Sequence, residues 1–189
     1  MATLVATGLS CVRGGRTVFD EVSFALAPGG ALQVEGANGA GKSSLLRILA
    51  GLLDAGSGNV VNSFATAWLG ADATLKPGMG LRGELTHWAR LDRRPAAAVD
   101  AALAAFDLAP LADLSVDVLS SGQRRRAALA RIHASGAALW LLDEPGVGLD
   151  TASLGLLAAA IAAHRAKGGA IVVATHGDVG LDAPQRLAL

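Results

Sequence analysis

The stretch Gly36-Ala37-Asn38-Gly39-Ala40-Gly41-Lys42-Ser43 decides how the rest of this chain is read. It fits the spacing G-x-x-x-x-G-K-[ST], in which glycines let successive backbone N–H groups turn inward as a nest for an anion. An apolar strand over 32–35 leads into it, and a helix over 42–50 leads out and stops at Gly51. The N-terminus of that helix adds positive potential to the nest. The plainer alternative is a Gly-rich strand-to-helix turn with no ligand, in a chain that holds 24 glycines. The Lys-Ser pair at the right place between strand and helix favours the phosphate site. The expectation is that Gly36, Ala37, Asn38, Gly39, Ala40, Gly41 and Ser44 surround a nucleotide polyphosphate. Lys42 then reaches the β- and γ-phosphates, and Ser43 holds Mg2+.

Working outward, residues 4–9 and 18–26 alternate apolar and polar positions, as half-buried strands do, with Arg13-Gly14-Gly15-Arg16 as a turn between them. Residues 54–59 are turn-like, and 60–69 hold one or two strands. The middle, 72–123, has Ala-rich helical stretches such as 95–106 and no strong strand, and is expected to be a helical subdomain inserted into an α/β core. Beyond it, helices over 122–134 and 152–167 alternate with apolar strands over 138–142 and 170–175. Continuous apolar strands between helices predict a parallel sheet covered on both faces. The expected organisation is one domain over 1–189, with 1–71 and 124–189 as core and a small antiparallel β region near the N-terminus.

Bulk composition narrows the function. Sixteen Lys and Arg balance sixteen Asp and Glu, so no basic stripe points to nucleic acid. Cys11 is the only cysteine, which rules out an internal disulfide and fits a reducing compartment. The first ten residues lack the pattern of a secretory leader. The longest apolar run, 154–163, is half of the roughly 20 residues that a spanning helix needs. The chain is expected to be soluble by itself, so that any membrane work requires a partner.

Three further segments carry chemistry. The strand ending in Leu141-Leu142-Asp143-Glu144 places two acids where α/β sheets bind ligands. Asp143 is a candidate Mg2+ ligand through its water shell, and Glu144 a candidate general base. Leu119-Ser120-Ser121-Gly122-Gln123 follows the helical region and opens a helix, for which Ser120 also makes a good N-cap. Finally, His176 follows the strand 171–175; a lone histidine there is more often a surface residue. His87, His133 and His164 have no such context and read as structural or solvated.

The order of phosphate loop, LSSGQ and LLDEP resembles the nucleotide-binding domain of ABC ATPases, whose signature is usually LSGGQ. Ser121 stands where that family has glycine. The resemblance implies a P-loop fold, ATP hydrolysis with Mg2+, and a head-to-tail dimer of two copies. In that dimer Ser120, Ser121, Gly122 and Gln123 touch ATP held by the opposite copy. Gly146-Val147-Gly148-Leu149-Asp150 is similar to the D-loop, which puts Asp150 at the same interface. His176 is similar to the switch histidine at the γ-phosphate, and joins Glu144 and Lys42 as a catalytic candidate.

Two positions depart from the family. Asp72 falls where the Q-loop glutamine belongs after Trp68-Leu69-Gly70, and is a third candidate metal contact. The family's adenine-stacking aromatic is absent near Arg13; Arg13 could stack through its guanidinium plane or be a solvated turn residue, and Val18 could add an apolar contact.

Within the family, the chain is most similar to the ATP-binding subunit of the bacterial cytochrome c maturation system, a haem exporter. The residues concerned are Gly8-Leu9-Ser10-Cys11, Arg16-Thr17-Val18-Phe19, the run 35–53, Trp68-Leu69-Gly70 with Leu75-Lys76-Pro77, and Gln123 before an Arg cluster. The resemblance implies integral membrane transporter subunits as partners and a peripheral place on the cytoplasmic face of the inner membrane. ATPases of other small-substrate exporters, and soluble ABC ATPases acting on ribosomes or DNA, are the alternatives. The last usually carry two cassettes or a long insertion, which this chain lacks.

Overall fold

A computed structural model describes residues 3–72 and 75–189; Ala73 and Thr74 of the expected helical region, and Met1 and Ala2, lie outside the described residues. Two sheets and a helical layer organise them. β1 (Leu4–Arg13) and β2 (Arg16–Leu26) pair antiparallel across the Gly14-Gly15 turn, and β4 (Ser57–Asn62) pairs on the other edge of β1. The order β2-β1-β4 is the expected small antiparallel region. β3 (Ala31–Glu35), β5 (Thr66–Leu69), β6 (Leu139–Asp143), β7 (Ala170–Ala174) and β8 (Gln185–Ala188) form a wholly parallel sheet in the order β5-β6-β7-β3-β8.

The central strands β3, β6 and β7 of the parallel sheet are covered on both faces, and the period-two rule assigns each of their side chains to one of them. Leu139 and Leu141 of β6, Val172 and Ala174 of β7, and Leu32 and Val34 of β3 join the antiparallel sheet and α1 (Lys42–Leu49) in one apolar cluster. Trp140, Leu142, Ile171, Val173 and Ala31 belong to the other cluster. That cluster also holds α4 (Ser121–Ser135), α5 (Thr151–Ala166), and the two subdomain helices α2 (Leu81–Leu91) and α3 (Ala96–Ala105). The core uses small and branched side chains because the sequence offers few aromatics.

One strand lies beyond those expected from the sequence. The strand over 170–175 is not the last: residues 185–188 form β8, which pairs parallel with β3 and covers its free edge. These residues are mostly exposed, so they lack the apolar run that marks the other parallel strands. α4 begins at Ser121 and packs on α2 and α3 as well as on β5.

Candidate functional site

The strand order fixes the site. β7 lies between β3 and β6, so the segments leaving the C-terminal ends of these three strands meet at one edge of the sheet. The segments after β3, β7 and β6 carry the phosphate loop, His176 and the Asp143-Glu144 pair respectively. Gly41 occupies the N-cap of α1 with φ 103°, and a Cβ there would sit 2.5 Å from Val18 Cγ1 and 2.9 Å from Phe19 Cδ1. Only glycine satisfies both the left-handed backbone and the close approach of β2. Gly36, with φ 149°, is pressed against Leu189: a Cβ would meet Leu189 O at 2.8 Å.

Lys42 is 7% exposed. Its ammonium donates to Gly36 O at 2.7 Å and to Ala37 O at 3.3 Å, and lies 2.8 Å from His176 Nε2. His176 Nε2 is also 3.0 Å from Asn38 Oδ1 and 3.7 Å from Glu144 Oε1. That nitrogen has one role at a time. It accepts from Lys42 when the ring is neutral with its proton on Nδ1, and donates toward Asn38 and Glu144 when it carries a proton itself. The structure thus joins the loop lysine, the strand-end acid and the histidine in one contact set.

A cleft of about 330 Å³ opens beside this set, lined by Asn38, Gly39, Gly41, Lys42, Ser43, Ser44, Asp143 and Glu144, with Arg13 and Val18 on its β-turn side and Ala71 opposite. Asp143 is 2% exposed. Asp72 is exposed on the turn after β5, and it is its neighbour Ala71 that lines the cleft. Ala40 donates its N–H to Ala37 O at 3.1 Å, closing the loop on itself. The signature residues stand apart from this cleft. Ser120 caps α4: its Oγ accepts from Gln123 N–H at 3.2 Å while Gln123 Oε1 accepts from Ser120 N–H at 2.8 Å, a reciprocal capping box. Gly122 lies against the segment 146–150, where an added Cβ would meet Gly148 O at 3.3 Å. Asp150 caps α5 by accepting from Ser153 N–H at 2.8 Å, and this hydrogen bond holds its carboxyl below the usual range. Ser121 opens α4 beside Ser120.

Sequence reasoning missed Arg125, read only as one of three arginines in a helix. Its guanidinium reaches the carbonyls of Asp143 and Glu144. A run of three Arg on a helix that packs in the core was the one signal available, since at least one of them has to face inward.

The family model of the ABC transporter matches residues 19–147. The cytochrome c biogenesis ATP-binding export protein CcmA of Sphingopyxis alaskensis is 51% identical over 173 residues, covering 92% of this chain and 89% of that protein. The protein of the same name from Rhodospirillum rubrum is 47% identical and covers 100% of this chain and 86% of its own length. Among solved structures, the ATP-binding subunit of an ABC transporter superposes with TM-score 0.84 at 22% identity, covering 92% of this chain and 79% of that one, a likeness of fold. The chain belongs to the ABC transporter family, among the cytochrome c biogenesis ATP-binding export proteins.

Proposed function

We propose that this protein binds and hydrolyses ATP as the motor subunit of a cytochrome c maturation exporter, working as a head-to-tail pair beneath membrane subunits that handle haem. The observation that carries the reading is the convergence of Lys42, His176, Glu144 and Asp143 around one cleft beside a glycine-built anion nest. Backbone N–H groups of 36–41 and the start of α1 cradle the phosphates, with Lys42 supplying positive charge where negative charge builds up in the transition state. Arg13 and Val18 flank the place where the adenine base would lie.

The residues present also fit Mg2+. Among the described residues no three His, Cys, Asp or Glu converge as a protein cage. Mg2+ in such sites is held by one or two side chains together with substrate phosphates and water, and Ser43 and Asp143 line the same cleft. When bound, the ion neutralises charge on the β- and γ-oxygens. Glu144 takes the proton of the attacking water, and His176 bridges that carboxylate to the γ-phosphate. Asp72 stands near enough to Arg125 to stabilise its charge, and we assign it the family's Q-loop place.

No helix among the described residues is long and apolar enough to cross a membrane. The likeness to export proteins of cytochrome c biogenesis supports membrane subunits as partners, with this chain peripheral on the cytoplasmic face. Ser120, Ser121, Gly122, Gln123 and Asp150 lie outside their own cleft, as residues serving the partner copy's nucleotide must. The direct test is MgATP hydrolysis by the purified chain beside Lys42→Ala. The reading expects measurable turnover in the first and a loss of at least about a hundredfold in the second, as removing one such charge typically brings. Equal rates would defeat it.

A further inference from the structure

Arg125 has no part in the chemistry above, yet its side chain gathers backbone carbonyls from separate segments. Nη2 donates to Glu144 O at 2.6 Å and to Asp143 O at 2.9 Å. Nε donates to Pro145 O at 3.3 Å. Nη1 donates to Gly70 O and to Ala71 O, each at 3.3 Å. Those carbonyls belong to the turn after β6 and to the loop after β5, while Arg125 itself sits in the first turns of α4. The neighbouring arginines serve elsewhere: Arg124 donates to Leu119 O, and Arg126 to Phe106 O and Asp107 O.

The turn being held is strained. Glu144 has φ 45°, in the left-handed region that disfavours a residue with a Cβ. Such a conformation persists only when its surroundings fix it. Here both backbone polar groups of Glu144 are tied: its N–H donates to Ala174 O at 2.8 Å, and its carbonyl accepts from Arg125. Arginine suits the second task because its planar fork presents five donors in fixed directions; a lysine ammonium is one point with three.

We propose that Arg125 is the positioning residue of the strand-end carboxylate: its fork locks the Asp143-Glu144-Pro145 turn to the loop after β5, and so aims the Glu144 side chain. The proposal rests on Glu144 being the general base. Burial pulls the guanidinium's pKa below its ordinary value, and the carboxylates of Asp143, Glu144 and Asp72 oppose that shift. Because the fork also grips Gly70 and Ala71, a displacement of that loop is transmitted to Glu144.

The test uses the purified full chain, with ATP binding at equilibrium, MgATP turnover and thermal melting measured for wild type, Arg125→Ala, Arg125→Lys, Glu144→Gln and the double variants of each Arg125 change with Glu144→Gln. Both Arg125 changes are expected to lower kcat at least about tenfold, as a misplaced catalytic group does, with ATP affinity held within about twofold. Lysine keeps the charge and loses the fork, so an equal loss in both traces the effect to geometry. In the Glu144→Gln background neither change should lower the residual rate further, since Arg125 acts through the group already removed. If Arg125→Ala does not fold, Arg125→Lys and its double variant carry the test. Wild-type kcat in Arg125→Lys, or fully additive losses in the double variants, would overturn the proposal. Wild-type turnover by Glu144→Gln alone would instead defeat the base assignment, and that result does not involve Arg125.

Discussion

Glu144→Gln changes one carboxylate oxygen to an amide nitrogen and leaves the shape of the site intact. The contacts of Lys42 with Gly36 O and Ala37 O do not depend on Glu144, so nucleotide affinity should stay within about twofold. Loss of a positioned base typically costs 10²–10⁴-fold, so kcat should fall by roughly that factor. An ATP-dependent dimer should then accumulate, seen as an earlier peak in gel filtration with ATP. Asp72→Gln is the milder case. Asp72 is exposed and lines no wall of the cleft, and a glutamine is neutral and reaches further. ATPase activity at least equal to wild type is expected in a steady-state assay; a severe loss would mean that this loop depends on the carboxylate. The phosphate loop is legible in the sequence because its chemistry is local: eight consecutive residues, one nest. Arg125 is not, because its partners are backbone carbonyls of 70–71 and 143–145, which no side-chain pattern marks.

Elements carry the next level. The N-terminus of α4 is held by the Ser120–Gln123 capping box, so Ser120→Ala should cost about 1 kcal/mol of stability in a denaturant titration. Ser120→Arg at the same cap places a long cation where two copies would close on a γ-phosphate. Nucleotide-dependent dimerisation should disappear by light scattering while ATP binding by the single copy persists. At the opposite end of the sheet, before β6 and β7 begin, His133 and His164 flank Trp140; His164 stacks on it at 4.0 Å between ring centroids, and its Nε2–H donates to Ala170 O at 3.1 Å. Burial lowers the pKa of both histidines from 6.5, and the Lys167 charge adds to it. The unfolded chain therefore binds more protons than the folded one below 6.5. The stability is fully present above that value and is lost as pH falls through the lowered folded values. Melting temperature should be level from about pH 7 to 8 and drop as pH falls below about 6.5. His133→Phe, which keeps a ring against Phe106 and Trp140, should flatten that drop.

The alternation of apolar strands and helices makes the parallel sheet legible in the sequence. The same logic hides β8. Its side chains are exposed or half-buried, so 185–188 lacks the apolar signature; backbone pairing with β3, the Arg186–Glu35 ion pair and the Gln185 hydrogen bond to Ala25 O hold it in place. The antiparallel region is readable because β1 and β2 are half-buried and alternate.

For the whole molecule, the fold provides a cleft on one edge of the sheet and a helical layer beside it, with the signature cap outside the lining of that cleft. On the function proposed above, such a molecule does mechanical work in company: a second copy would complete each nucleotide site, and membrane subunits would receive the motion. The most direct measurement is haem staining of c-type cytochromes in a strain lacking this gene and any second copy, complemented with wild type or with Lys42→Ala. The account predicts no stained c-type cytochrome in the deletion, normal b-type cytochromes, and rescue by wild type alone. Normal c-type staining in the deletion, or full rescue by Lys42→Ala, would contradict it.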